Sequence, residues 1–430
     1  MSEVVLNTGD TAWMLTSTAL VLLMTPGLAL FYGGMVRAKG VLNMMMMSFV
    51  SMGIVAVLWV VYGYSMTFGK DLGNGLVGDP SEFIGLKGLI APDSLFGTIP
   101  TTVFIAFQAM FAIITVALIS GAIADRAKFG AWVVFVIVWS TLVYFPVAHW
   151  VFDFDSGDKD PGGWIANQLG AIDFAGGTAV HINAGIAGLA AVLVIGKRAG
   201  FGREPFKPHN LTLVMVGAGL LWFGWFGFNA GSAVASNAAA GVTFLNTFVA
   251  TGAAMLAWLI VEKIRDGHAT SLGAASGVVA GLVAITPACS SVDPLGAIAV
   301  GAISSVLSSL AVGLKYKFGY DDSLDVVGVH LVGGLSGSLL VGVFATAAAP
   351  AGVDGLLYGG GSGQLVKQVI ACGAVLAYSF ILTLIIAKLI DVTMGFRISQ
   401  EAEITGIDLA VHAETAYEIG NVGSSRGGSF

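Results

Sequence analysis

The stretch AIDFAGGTAVHINAGIAGLA, Ala171 to Ala190, puts a carboxylate and an imidazole, Asp173 and His181, into a run that is otherwise almost wholly apolar. A second stretch, DVVGVHLVGGLSGSLL from Asp325 to Leu340, repeats the pattern. Val180 precedes His181 and Gly185 and Gly188 follow it; Val329, Gly334 and Gly337 hold the same offsets around His330. Asp173 lies eight residues before the first histidine and Asp322 eight before the second. Such groups are expensive among apolar neighbours, so they are expected to face protein or a cavity, not lipid. One motif used twice is the reading that organises the rest of the chain.

The composition allows few classes. Of 430 residues, 56% are hydrophobic and 10% charged, and the mean hydropathy is +0.87. A soluble domain carries about a quarter charged residues, which leaves a polytopic membrane protein. The net charge of −7 is spread over many short loops and says little about partners. Cys289 and Cys372 sit beside or within apolar runs, which indicates neither a disulfide nor a metal framework. The opening MSEVVLNTGDTAW has acids where a leader has bases, so the first hydrophobic segment is expected to stay.

A span needs roughly 20 apolar residues. Eleven are expected, at about 11–34, 42–66, 100–124, 129–151, 172–196, 210–233, 241–262, 270–289, 294–314, 324–347 and 366–388. Lys and Arg divide fifteen to four between alternate loops: Arg37, Arg126, Arg198, Lys315 and Arg397 fall in the rich set, Lys70, Lys87, Lys159 and Lys367 in the poor one. By the positive-inside rule the N-terminus is outside and the C-terminus cytoplasmic. The two motifs then lie in the fifth and tenth spans, which cross in opposite directions. Spans 1–5 (about 11–196) and 6–10 (about 210–347) form an inverted repeat, with the transported species at its interface. The expected fold is therefore all-α and polytopic. A transmembrane domain covers 1–390, with the eleventh span outside the repeat, and a cytoplasmic tail covers 391–430.

His209 and His268 fall in inner loops, His412 in the tail and His149 at the outer end of the fourth span. Only His181 and His330 read as intramembrane. Two neutral imidazoles can share one hydrogen bond, one donating and one accepting, and line a dry lumen or relay a proton. Asp173 stands about 12 Å along the helix from His181, nearer the outer mouth. It favours a cation there, or caps the helix, or does both. The aromatic clusters FIAFQAMFA, with Phe104, Phe107 and Phe111, and LLWFGWFGFNAGSA, with Trp222, Trp225 and Phe228, read as packing or as rings for a dehydrating cation. Ser232 would be an acceptor beside them. HExxH, GxSxG and phosphate-loop patterns are absent, as are basic nucleic-acid patches. The chain reads as no enzyme, with no cofactor, no metal and no nucleic-acid partner.

These residues together resemble the Amt/Mep/Rh ammonium transporter family, in its prokaryotic Amt branch. The resemblance rests on PGLALFYGG, FQAMFA, DFAGGTAVHINAGIAGL, WFGFNAGSA, SGVVAGLVAITPAC, DVVGVHLVGG and the tail GFRISQEAEITGIDLAVHAETAYE. It implies transport of ammonium and ammonia, with methylammonium as analogue, across the cell membrane by a homotrimer with one pore per subunit. It further implies that His181 and His330 are the twin pore histidines and that Phe111 and Phe228 are a stacked gate with Phe107 beside it. Asp173, Ser232 and Trp225 would serve the lumen and outer ammonium site. The family's outer-site Trp is replaced by Phe152 in PVAHWVF, followed by an acidic insertion, DFDSGDKDPGGW; Trp150 and Trp164 are the rings near enough in sequence to substitute. The tail implies docking of a PII-type regulatory protein. The competing reading is an ammonium sensor signalling to cytoplasmic partners; such proteins carry an appended domain, and here about forty residues follow the last span.

Overall fold

The computed structural model describes residues 5–154 and 161–417. Part of the acidic insertion (155–160) and the end of the tail (418–430, with Arg426) lie outside the described residues. Among the described residues, ten helices are long and apolar enough to cross a membrane. In chain order they are α1 (Thr8–Met35), α2 (Ala38–Phe68), α3 (Thr101–Ile123), α4 (Phe129–Phe152), α5 (Gly177–Ile195), α6 (Leu211–Ala233), α7 (Ala238–Asp266), α9 (Pro294–Phe318), α10 (Val327–Phe344) and α11 (Gly363–Met394). Between α7 and α9 runs a shorter apolar helix, α8 (Ser271–Ile285). Its 15 residues reach only about 22 Å at 1.5 Å per residue, short of a bilayer core of about 30 Å. The expected eighth span is thus shorter than the run 270–289 suggested, because the chain leaves the helix at Thr286 for the turns around Pro287.

Polar caps set where several helices begin. Asn7 accepts from the Gly9 and Asp10 amides, Asn210 from Leu213, Asn237 from Ala240, Thr270 from Gly273 and Asp293 from Gly296, satisfying donors that have no partner within the helix. Along α7 the apolar side chains Phe244, Phe248, Leu256 and Ile260 face outward, as they do at Ile381, Ile385 and Leu389 of α11. In hydrocarbon such faces cost nothing, and helix association falls to close backbone approach.

Glycines supply that approach and reveal direction. A Cβ on Gly34 would meet Val214, one on Gly27 would meet Leu220, one on Gly224 would meet Met24 and one on Gly231 would meet Ser17. Numbers climb on α6 as they fall on α1, so these first helices of the two halves run antiparallel. The last helices do the same. A Cβ on Gly177 would meet Ser338, one on Gly185 would meet Leu331 and one on Gly334 would meet His181 and Ile182. Antiparallel packing of α1 on α6 and of α5 on α10 is the sense that an inverted repeat of the two halves needs.

Two small antiparallel hairpins shape the loop after α2: β1 (Asp71–Leu72) with β2 (Val77–Gly78), and β3 (Leu95–Phe96) with β4 (Ile99–Pro100). The opposite face gathers the basic loops. Arg198 pairs with Asp321 at 2.8 Å, and Asp125 lies 3.3 Å from Arg37 and 3.5 Å from Arg198. Buried Arg126 donates to the carbonyls of Ala124, Gly196 and Asp321. The tail docks on this network. Glu403 bonds the Ala199 amide and pairs with Arg397, and Asp408 accepts from the Leu42 and Asn43 amides. Burial alone would raise the Asp321 carboxyl, but the hydrogen bonds and charge of Arg198 hold it below the ordinary carboxylate range.

Candidate functional site

The two motifs fold alike. Asp173 precedes α5 and accepts from the amides of Gly176 (2.8 Å), Gly177 (2.6 Å), Thr178 (2.7 Å) and Ala179 (3.3 Å), and from the Thr178 hydroxyl. Asp322 precedes α10 and accepts from the amides of Val326 (3.1 Å) and Val327 (2.7 Å). Each capped start leads into a widened π turn, Gly177–Ile182 and Val327–Leu331, and each π turn carries its histidine. Such turns displace a side chain from the regular helical row. Here they bring His181 and His330 together, Nδ1 to Nδ1 at 3.4 Å with ring planes 24° apart. That distance suits one shared hydrogen bond, with one ring in the donor tautomer and the other accepting.

Both imidazoles line a cavity of about 10 Å³, roughly the least that admits one water-sized molecule. The rest of its wall is hydrocarbon and aromatic, including Leu28, Phe31, Ile114, Leu221 and Val279. His181 Nε2 is buried and has no hydrogen-bond partner in the protein. A buried imidazole nitrogen without a partner is costly, so the site spends stability on presenting it to that cavity.

A second cavity, about 70 Å³, lies on the side of the hairpin loop. Phe111 lines it, Phe228 lines the first, and the two rings stand between them with centroids 4.3 Å apart. Phe107 meets Phe111 edge-on at 4.9 Å and is fully buried. Phe152 and Ser232 line the larger cavity, and the Ser232 hydroxyl donates to the Phe228 carbonyl at 2.8 Å, which leaves its oxygen free to accept.

Three expected outer-site residues sit elsewhere. Trp225 is on the inner side of Phe228, stacked on His181 at 5.4 Å, with its indole donating to Thr286 Oγ1 at 2.9 Å. Trp150 points away from the mouth, donating to the Leu76 carbonyl and packing between Trp164 and Tyr378. Asp173 is buried behind the amides it caps and is absent from the lining of the larger cavity. A ring that shares this cavity with Phe152 comes instead from β3: Phe96 stacks on Phe104 at 3.6 Å with planes 8° apart, and both line the cavity. Gln108 and Phe174 join them. Gln108 sits inside FQAMFA and was findable by helical spacing from Phe111; Phe96 lies on a loop with no periodicity to mark it.

The Ammonium Transporter Family model matches residues 12–417. An ammonium transporter of Mycobacterium tuberculosis is 62% identical over 431 residues, covering 95% of this chain and 90% of that protein. The crystal structure of Saccharomyces cerevisiae Mep2 superposes with a TM-score of 0.83 at 33% identity, covering 92% of this chain and 88% of that one. A structure described as a sensor Amt protein gives 0.85 at 29% identity, covering 94% and 98%.

Proposed function

The chain belongs to the ammonium transporter family, and from that premise we propose that it carries ammonium across the membrane through the two cavities and the ring pair between them. The observation that carries this reading is the His181–His330 pair, set in an apolar cavity on the far side of Phe111 and Phe228.

Ammonium enters the larger cavity between aromatic faces, which attract a cation that is losing water, and donates a hydrogen bond to Ser232. Rotation of the Phe111 and Phe228 rings opens the partition. The cation gives up a proton, and ammonia passes the imidazoles, which accept and donate its hydrogen bonds in a space that holds no hydrated ion. K⁺ has a similar size but neither donates hydrogen bonds nor releases a proton, so the same cavity rejects it. The proton travels separately along the His pair.

Position supports α8 as an eleventh crossing. The Asn7 amide bonds the Thr98 carbonyl near the start of α3, while the Ile398 amide bonds the Arg126 carbonyl beyond its end. Asn7 and Ile398 thus sit by opposite ends of α3, which favours an odd number of crossings between them. We assign the Arg126 face, rich in Lys and Arg, to the cytoplasm of a multi-pass cell-membrane protein, with 391–430 as a tail. A homotrimer, and a PII-type protein on that face, complete the reading. The paired cavities support transport over the sensor alternative.

The test is ammonium-evoked current in reconstituted vesicles with K⁺ as competitor. Charge moved in proportion to ammonium uptake, undiminished by K⁺, is expected. Uptake with zero net charge removes the proton relay, and no uptake removes the function.

A further inference from the structure

Between Gly170 and Gly176 the chain approaches α5 without forming a helix. Irregular backbone packed among helices carries N–H and C=O groups that other parts of the protein must satisfy. The Ala171 amide bonds the Ile165 carbonyl at 3.1 Å, and the Phe174 amide bonds the Pro287 carbonyl at 3.3 Å. Asp173 takes the amides that follow. Ile172 is served by a side chain. Gln368 of α11 accepts from the Ile172 amide at 2.7 Å and donates to the Ile172 carbonyl at 2.7 Å, as a neighbouring strand would. The same nitrogen donates to the Ser338 carbonyl of α10 at 3.0 Å, and Gln364, one turn earlier, donates to Gln368 Oε1 at 3.1 Å. A carboxamide has two donor hydrogens and two acceptor sites. In buried Gln368 all four are used, which fixes the way the group faces.

The approach to α10 is held differently. There the Ser323 and Leu324 amides bond the carbonyls of Ala122 and Gly121 at the end of α3. Backbone does for the second motif what a side chain from α11 does for the first. Ile172 adjoins Asp173 and stands two residues from Phe174, which lines the outer cavity. Ser338 belongs to the helix of His330, and a Cβ on Gly177 would stand 2.7 Å from its hydroxyl oxygen. Gln368 thus joins both motifs where α5 begins, yet it lines neither cavity. We infer that Gln368 is a positioning residue for transport: it ties the segment Ile172–Phe174 to α10 and so keeps the wall of the outer cavity aligned with the histidine pair beyond Phe111 and Phe228. The inference rests on the transport reading for its purpose, but not for the hold on Ile172. It also gives α11 a task at the centre of the repeat.

The experiment uses the full chain, in vesicles for current and in detergent for hydrogen exchange read by mass spectrometry. In Gln368→Leu, exchange is expected to quicken over residues 170–178 and to stay as in the wild type elsewhere. The ammonium concentration for half-maximal current is expected to rise about threefold to tenfold, the factor one hydrogen bond supplies. A merely structural role would lower the maximal current, through fewer folded copies, and leave that concentration unchanged. Gln368→Glu tests the donor. Its protonated carboxyl accepts from the Ile172 amide and donates one hydrogen bond, whereas its carboxylate only accepts. Its half-maximal concentration, relative to wild type at the same pH, is expected to fall toward the wild-type value between about pH 8 and about pH 5. An unchanged half-maximal concentration in folded Gln368→Leu, exchange quickened evenly along the chain, or a Gln368→Glu that keeps one ratio to wild type across that range overturns the positioning role. A wild type that carries no ammonium current removes the transport reading; exchange quickened only over 170–178 then sustains the hold, and unchanged exchange removes it as well.

Discussion

Gly185 and Leu331 meet so closely that a Cβ on the glycine would stand 2.4 Å from the leucine backbone nitrogen. The reciprocal contact is present: a Cβ on Gly334 would stand 3.2 Å from the Ile182 nitrogen and 2.9 Å from the His181 Cβ. Each glycine follows its histidine by four residues, one helical turn, and each fits against the turn bearing the other histidine. The repeated His–Gly spacing is therefore one packing device seen from two ends, and the imidazoles meet because the backbones do.

Gly185→Ala forces α5 and α10 apart at a backbone contact that cannot rotate away. Overpacking of this kind costs about 1–3 kcal/mol, so a lower unfolding temperature in detergent and reduced methylammonium uptake are expected. Wild-type stability together with wild-type uptake would show that the crossing tolerates a methyl group and does not set the His–His distance.

His181→Ala and His330→Ala each remove one half of the polar pair from an otherwise apolar cavity. Loss of methylammonium uptake, or a change in its selectivity, is expected, with the size-exclusion profile unchanged. Both variants transporting with wild-type selectivity would dissociate the pair from the pathway.

Asp173→Ala leaves the amides of Gly176, Gly177 and Thr178 without their acceptor. Each buried amide so orphaned costs about 1–3 kcal/mol, and uptake is expected to stop. Asp173→Asn keeps an acceptor oxygen and is expected to recover part of the stability. Retained uptake in a less stable Asp173→Ala protein would confine this residue to capping.

Asp322 at the start of α10 offers a pH test. Burial, and then the nearby Asp325 charge, push its carboxyl above the ordinary range, so the folded protein holds that proton more tightly than the unfolded chain does. Its contribution is most favourable near pH 4, the ordinary carboxyl value, and is lost as pH rises toward neutrality. The stability of Asp322→Asn relative to wild type should therefore improve from pH 4 to pH 7, read from thermal unfolding at each pH. A difference independent of pH would show that Asp322 ionises without strain.

Much of this was legible in the linear chain because its physics is local. Hydrophobic runs exceeding the membrane thickness announce helices, and Lys and Arg gather in alternate loops. A polar pair repeated at one spacing among apolar residues marks a shared centre. The rings were harder. Trp225 and Phe228 are three residues apart on α6, yet Phe228 forms the partition with Phe111 while Trp225 stacks on His181 and gives its indole to Thr286, 61 residues away. Trp150, two residues from Phe152, turns to the opposite side of α4 to bind the hairpin loop at Leu76. The length of α8 was overread because the apolar run outlasts the helix past Thr286.

By itself, the order of residues determined that the chain crosses the membrane, which loops are basic, and that Asp–His–Gly is used twice in opposed helices. Those follow from the cost of polar groups in hydrocarbon and from the reach of one helix turn. Only the tertiary structure decided which rings face which cavity, that Phe96 from a remote hairpin lines the larger one, and that Asp173 is consumed by amides. These depend on how glycine-lined backbones cross and rotate, a balance struck between helices distant in the chain that no local pattern encodes.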